Sequence, residues 1–486
     1  MTPATKPATA PPPGSAPHLI SDRQLAMLSV VLVLGAMTTI LDTTIVNVAL
    51  EHLHDVFHAS VADTQWVASG YLLALAGVIP LSGWASERFG TRRVWMTAVA
   101  LFLGGSILCG LAWNLPSLIG FRVLQGIGGG LVLPVTVTIL TQAAGPARLS
   151  RAIGAIMIPA QLGPILGPVV GGTIVDSISW HWLFFVNVPI CVAALVLAPK
   201  FLPATHGSVG MRLDVRGFAL LTPGVVALAF GISRAGASGF GAAASWGPIA
   251  AGAALLAGFV AYALRTTSVP LVDVRPFARR SFGLASAITA LGGFSAFAVM
   301  FLLPLFYQVV RGETALTTGL LLIPQGLGTI CFALLSPRLS ARVDTRSVVM
   351  AGIVLTVASV IPFALAGPTG GQVLLLASQF VQGLGMGAVL FPVMTLALGG
   401  LARQEVPRAS AAFSVVQRVG APFGVTVVAV LLQGFLADAG TSAAGVAAAF
   451  GTTFWWVIAF SAAPFVLAFF LPSAADREAA AGPASA

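Results

Sequence analysis

Leu41-Asp42-Thr43-Thr44-Ile45-Val46-Asn47-Val48-Ala49-Leu50 places a carboxylate inside an apolar run that begins near Leu25. Asp42 lies 17 residues into that run, which at ~1.5 Å per residue is about 26 Å along a helix. That depth is past the middle of a hydrocarbon core ~30 Å thick. An ionised Asp there costs roughly 2.5–3.5 kcal/mol on insertion scales, so it must be protonated, paired or turned toward a water-filled cavity. Each of these options suggests function.

Composition agrees with a membrane setting. Of 486 residues, 57% are hydrophobic and 8% charged, against roughly 25% charged in a soluble domain. The net charge of +9 is scattered singly or in small groups between apolar runs, so membrane topology explains it and no nucleic-acid partner is expected. Cys109, Cys191 and Cys331 all fall inside apolar runs, and an odd, scattered set fits neither a disulfide framework nor a zinc site. The first seventeen residues, rich in Pro, Ala and Thr, predict a disordered tail. The apolar run after them exceeds a signal-peptide core and reads as a retained helix.

Runs long enough to span a bilayer occur near 25–50, 64–84, 94–112, 118–140, 150–175, 183–199, 216–233, 247–264, 283–308, 316–337, 347–366, 372–399, 408–436 and 450–471. The expected fold is therefore an all-α integral membrane bundle of fourteen transmembrane helices. With a cytoplasmic N-terminus, 20 of the 24 Lys and Arg residues fall in cytoplasmic loops and tails. Only Arg234 and Arg311 lie outside, and Arg122 and Arg418 lie within spans. This asymmetry predicts both termini in the cytoplasm of a cell whose plasma membrane holds the chain.

An internal repeat appears at an offset of 257 residues: Gln125-Gly126-Ile127-Gly128-Gly129-Gly130 matches Gln382-Gly383-Leu384-Gly385-Met386-Gly387, and Arg151-Ala152, Gly163 and Gly167 match Arg408-Ala409, Gly420 and Gly424. Two six-helix halves are thereby paired, and spans seven and eight have no counterpart. The expected organisation is a disordered cytoplasmic tail (1–24), an N-terminal six-helix bundle (25–199) and a cytoplasmic loop (200–215). Two inserted helices with their following loop (216–282), a C-terminal six-helix bundle (283–472) and a cytoplasmic tail (473–486) complete it.

Four motifs carry most of the chemistry. Gly83-Trp84-Ala85-Ser86-Glu87-Arg88-Phe89-Gly90-Thr91-Arg92-Arg93 joins spans two and three; it is either a topogenic basic loop or a charged latch on the cytoplasmic side, with Gly83, Glu87, Arg88, Gly90 and Arg92 as its parts. Arg122 opens span four with Gln125 and Gly126 at i+3 and i+4 on the same face; it either snorkels to headgroups or works inside the membrane. Gly163, Pro164, Gly167, Pro168, Gly171 and Gly172 lie in span five, where glycines at every fourth position permit close helix packing and prolines bend the helix. Trp180-His181-Trp182-Leu183-Phe184-Phe185-Val186-Asn187-Val188-Pro189 leads into span six.

Together with the Asp42 stretch and the inserted pair, these motifs resemble the fourteen-helix drug:proton antiporter family of the major facilitator superfamily. The resemblance covers nearly everything from Leu25 to Pro472, with Glu87 where the family usually has Asp and His181 where an Arg is common. It implies two six-helix halves around a central site, proton coupling through Asp42 with help from Arg122, and export marked by the span-five glycine–proline signature.

Asp42 is the one acid deep inside a span, which makes it the expected proton carrier, with protons and a small organic substrate as partners beside the lipid bilayer. Thr38 and Thr39 share its helix face, whereas Asn47 is about 140° away at ~100° per residue. Substrate contacts are sought among Gln161, Tyr307, Gln308, Gln325, Gln382, Gln417 and Arg418, set among apolar residues that suit amphipathic organic compounds. No cofactor, metal or enzymatic activity is expected: His52, His54 and His58 with Asp55 lack a known ligand spacing, and Gly383-Leu384-Gly385-Met386-Gly387-Ala388 lies in an apolar span, not after a strand. A dedicated exporter of one metabolite or self-made antibiotic, and a non-transporting sensor or scaffold, are the alternatives.

Overall fold

The computed structural model describes residues 21–144, 148, 163, 167, 170–174, 177–205, 207–208, 211–238, 243–266, 268–340, 342–368, 370–399, 401, 404–440 and 442–472. The main helices are α1 (Asp22–Phe57), α2 (Trp66–Val78), α3 (Leu81–Phe89), α4 (Thr91–Gly110), α5 (Leu115–Ala144), α6 (Asn187–Phe201) and α7 (Val215–Ser238). They continue as α8 (Ala243–Arg265), α9 (Arg280–Leu305), α10 (Ile323–Ser340), α11 (Thr345–Leu365), α12 (Gln372–Gly399), α13 (Val406–Ala439) and α14 (Ala443–Phe469). No strand occurs among the described residues.

Helix α1 starts at Asp22, inside the stretch expected as tail, because Ser21 and Gln24 form a capping box: Gln24 N–H donates to Ser21 Oγ at 3.2 Å and Ser21 N–H to Gln24 Oε1 at 2.9 Å. The second expected span is broken, α2 and α3 meeting at 56°. Pro80 sits at this break and offers no backbone N–H. Eleven described helices are long and apolar enough to cross a membrane, twelve with the bent pair. The expected count of fourteen is thus not reached among the described residues: the fifth span (150–175) falls almost wholly outside them, and α13 contributes only Phe423–Ala439 as a shorter apolar segment.

Packing joins the halves unevenly. Leu28, Leu32, Trp95, Phe102, Val132 and Leu140 build a core from the first half, while Phe306, Phe363, Phe450 and Phe454 build one from the second. Near Glu87 a third cluster mixes them, with Ala76 and Val137 beside Phe282, Phe332, Phe391 and Phe413. At the opposite end of the first half, Leu41, Ile45, Val67, Leu118 and Phe184 cluster without second-half residues. The seam between halves is therefore tightest at the Glu87 end.

The inserted pair α7–α8 packs on itself and then bridges that seam. Thr222 Oγ1 donates to Gly77 O of α2 at 3.0 Å, Trp66 stacks on Phe230 at 5.9 Å, and Thr426 Oγ1 of α13 donates to Ile232 O at 3.0 Å. Helix α7 thus touches both halves.

Candidate functional site

Glycines bring α5 within reach of its neighbours. Side chains at Gly126 and Gly130 would strike the backbone of Tyr71 and Leu75 in α2, and one at Gly128 the backbone of Phe102 in α4. Gly105 of α4 similarly makes room for Gln125. This close approach carries Arg122 and Gln125, one turn apart, into the centre of the first half.

There Arg122, 1% exposed, meets Asp42, 0% exposed. Arg122 Nη1 donates to Asp42 Oδ2 at 2.5 Å and to Gln125 Oε1 at 2.8 Å, while Nε donates to Val67 O at 3.1 Å. Gln125 Nε2 donates to Asp42 Oδ1 at 2.9 Å and Asn187 Nδ2 donates to the same oxygen at 3.1 Å. The guanidinium also lies 4.1 Å from the centre of the Tyr71 ring, a cation–π contact that strengthens when desolvated. All three groups that face the carboxylate are N–H donors, so both of its oxygens act here as acceptors. Arg122 therefore does not snorkel.

Two of these partners were not among the expected site residues. Gln125 is legible as sharing Arg122's face, whereas Asn187 is one polar residue within the span-six motif. Nothing local to Asn187 announces that α6 delivers it to Asp42. Asn187 Nδ2 also donates to Ser106 Oγ at 3.2 Å, and its Oδ1 is buried without a partner. Thr38 and Thr39, expected on Asp42's face, are buried but bond the carbonyls of Gly35 and Ala36 at 2.8 Å each.

Of the residues expected to form a latch, Glu87 pairs with an arginine of the second half. Arg408 Nε donates to Glu87 Oε1 at 2.8 Å and Nη2 to Glu87 Oε2 at 2.6 Å, a bidentate pair. Gly83 permits it: a Cβ there would stand 3.1 Å from Arg408 Cα and 3.2 Å from Pro407 O. Ser410 Oγ donates to Pro134 O at 3.2 Å, a second direct tie between the halves. Arg88 instead donates to Ser208 O at 3.3 Å. Gly90 has φ 88°, the left-handed region open to glycine, and is pressed against Thr205. Arg92 touches Thr205 through its backbone N–H. These last three fasten the long connection after α6 and, among the described residues, make no bond across the seam. Arg408 was visible in the sequence only as the repeat partner of Arg151.

Of the span-five glycines, Gly163, Gly167 and Gly171 lie against α1 at Ile40, Thr44 and Ile45. Thr44 Oγ1 donates to Gly163 O at 3.1 Å. Gly172 faces open space. Pro164, Pro168 and Gln161 lie outside the described residues. In the second half, Tyr307 is fully buried and accepts from Gln379 Nε2 at 2.8 Å. Gln382 is buried with an unpartnered Oε1, as is Oε1 of Gln379. At the repeat offset, Gln379 and Gln382 correspond to Arg122 and Gln125, so the second half carries a neutral counterpart of the charged site. Gln325 and Gln417 are half-buried and Gln308 is exposed. Arg418 lies in α13, with its side chain outside the description.

A bundle of apolar helices organised around a buried ion pair is a multi-pass membrane protein with a charge poised inside it. The Major Facilitator Superfamily model matches residues 32–425, and the chain belongs to that family. It is 38% identical over 408 residues to a multidrug resistance protein B homologue of Mycobacterium tuberculosis, covering 83% of this chain and 75% of that protein. It is 32% identical over 393 residues to a probable transport protein HsrA of Haemophilus influenzae, covering 81% and 84%. A putative multidrug resistance protein MdtD of Serratia proteamaculans is 32% identical over 400 residues, covering 81% and 82%. Among solved structures, the human organic anion transporter MFSD10 superposes with a TM-score of 0.64 at 15% identity, over 91% of this chain and 99% of that one. A double tryptophan mutant of XylE gives 0.65 at 15% identity, over 93% and 96%. These two likenesses concern the fold.

Proposed function

We propose that this protein is a proton-coupled antiporter that exports amphipathic organic compounds by alternating access. The observation that carries the reading is Asp42: among the residues whose burial is described it is the one buried carboxylate, and its partners come from α5 and α6. The names of the multidrug resistance relatives support a drug-like substrate class, and the span-five glycines against α1 are consistent with the antiporter signature.

In this reading the chain sits in the plasma membrane as two six-helix halves and an inserted pair, fourteen spans with both termini cytoplasmic. The Glu87 end is then cytoplasmic and the conformation outward-facing. Asp42 receives a proton from outside, which cancels its charge and releases Arg122. Asn187 turns its amide so that the idle Oδ1 accepts the new O–H. The halves rock, the Glu87–Arg408 pair parts, and substrate entering from the cytoplasm displaces the proton. Inward movement of one proton supplies ~2.3 kcal/mol per 100 mV in addition to the pH gradient. Tyr307, Gln325, Gln382 and Gln417 are the proposed polar contacts for substrate in a mainly apolar cavity.

The test is efflux of a broad substrate panel from a pump-deficient bacterium carrying wild type or Asp42→Asn at matched membrane levels, with and without a protonophore. Wild-type efflux abolished by both treatments supports the mechanism. Efflux that persists in the variant removes Asp42 from coupling, export of a single compound indicates a dedicated exporter, and no export of any compound favours a non-transporting role.

A further inference from the structure

Two ion pairs stand at equivalent places in the two halves with their charges exchanged. Asp22, in the first turn of α1, accepts from Arg148 Nη1 at 3.0 Å. Arg279, at the N-cap of α9, donates to Glu405, at the N-cap of α13, through Nη1 to Oε2 at 3.0 Å and through Nη2 to Oε1 at 2.7 Å. Arg279 and Glu405 follow Asp22 and Arg148 by 257 residues each, the offset of the internal repeat. Keeping the contact while reversing both charges takes two matched changes, which a chance meeting of surface side chains would not require.

Helix ends explain three of the four charges. An anion is stabilised at a helix N-terminus and a cation at a C-terminus: Asp22 and Glu405 stand at N-termini, and Arg148 Nε donates to the carbonyl of Ala144, the last residue of α5, at 3.2 Å. Arg279 is the exception, a cation at the N-terminus of α9. Membrane topology accounts for an arginine here but not for a carboxylate set bidentate on it. The pairing offsets the unfavourable end charge and ties the start of α9 to that of α13.

That tie bears on Arg408. It lies three residues after Glu405, in the first turn of α13, whose backbone at Pro407 and Arg408 is pressed against Gly83. Helix α9 is a fixed support for this turn: Arg280 Nε donates to the carbonyl of Phe470 at the C-cap of α14 at 3.0 Å, and side chains at Gly420 and Gly424 of α13 would strike the backbone of Ala290 and Phe294 in α9. We propose that Arg279 and Glu405 are positioning residues, which hold the first turn of α13 against α9 so that Arg408 meets Glu87 across the seam. The part the Glu87–Arg408 pair plays in alternating access rests on the transport reading; the positioning does not.

The two pairs differ in exposure, and a test follows from it. The side chains of Arg279 and Glu405 are 49% and 36% exposed, those of Arg408 and Glu87 9% and 16%, so salt screens the first pair far more than the second. The full chain without Cys109, Cys191 and Cys331, carrying Ser410→Cys, is labelled with a maleimide in nanodiscs at low and at high ionic strength. Labelling of this parent is expected to quicken with salt. Arg279→Gln and Glu405→Gln should each label up to about fivefold faster at low salt, the upper range for an exposed ion pair, and should lose the response to salt. Arg279→Glu combined with Glu405→Arg, which gives the second half the polarity of the first, should restore both the slow labelling and the salt response; a merely damaged fold would not recover on reversal. Single variants that label and respond to salt as the parent does overturn the proposal, as does a reversed pair that stays as fast as the single variants. Labelling as expected in a chain that exports no compound supports the positioning role and removes the transport reading.

Discussion

Asn187 Nδ2 is shared between Asp42 Oδ1 and Ser106 Oγ, while its own Oδ1 is buried and idle. An amide offers a donor or an acceptor by turning over, so this side chain can serve Asp42 in both protonation states. Asn187→Leu keeps the size and removes both functions. With a hydrogen bond to a charged group contributing about 1.5–3 kcal/mol, proton-driven efflux in vesicles should fall by roughly tenfold to a hundredfold at near-normal membrane levels; unchanged rates would take Asn187 out of the coupling scheme. Arg122 is a different case. Removing one partner of a buried pair typically costs about 3–5 kcal/mol because the other charge is left uncompensated, so Arg122→Leu should lower the melting temperature sharply, and Arg122→Leu combined with Asp42→Asn should recover much of the loss. A double variant no more stable than the single one would mean the pair contributes little to the fold.

At the scale of the element, α3 matters through one glycine and one carboxylate. A Cβ on Gly83 meets the backbone of α13 at 3.1 and 3.2 Å, and backbone cannot rotate away as a side chain can. Gly83→Leu should therefore hold α3 and α13 apart and break the Glu87–Arg408 pair without touching either charge. Truncating one partner of a buried hydrogen-bonded charge pair costs about 2–5 kcal/mol, enough at 1.4 kcal/mol per decade to move a two-state population some thirtyfold or more. Glu87→Gln should do the same. The readout is labelling of Ser410→Cys, a buried position beside Pro134, in a background without Cys109, Cys191 and Cys331: both variants should speed its reaction with an impermeant maleimide. The exchange Glu87→Arg with Arg408→Glu should slow it again, and faster labelling in the exchanged protein would show that the pair is not what holds this end shut.

At the scale of the whole molecule, α7 is held to both halves, by Thr222 on Gly77 O and by Thr426 on Ile232 O. A helix fastened across a moving seam must release one tie or travel with one half when the halves rock. Thr222→Val and Thr426→Val each remove a hydroxyl at almost constant shape, with about 1 kcal/mol at stake per bond. If both ties persist through the cycle, each variant lowers the melting temperature by a similar small amount and leaves the transport rate alone. If one is broken during the cycle, its variant speeds turnover while the other does not, and initial efflux rates at matched expression distinguish the two.

How far the sequence could be read follows from what each residue needs. Asp42, Arg122 and Glu87 were legible because a charge in or beside an apolar run has few bland explanations, and the glycine stripes were legible because their fourfold spacing repeats on one helix face. Arg88, Gly90 and Arg92 looked equally like latch parts, yet they bind the connection after α6, a contact that local spacing does not encode. The all-helical, multi-pass character and the charge inside an apolar run were determined by composition and period, since the length and apolarity of a helix and the acid within it are properties of each segment taken alone. That Asn187 completes Asp42's donors, that Arg408 answers Glu87 and that α7 bridges the seam was decided only by the tertiary structure. Each of those contacts joins residues more than a hundred positions apart, and their meeting depends on how whole helices pack.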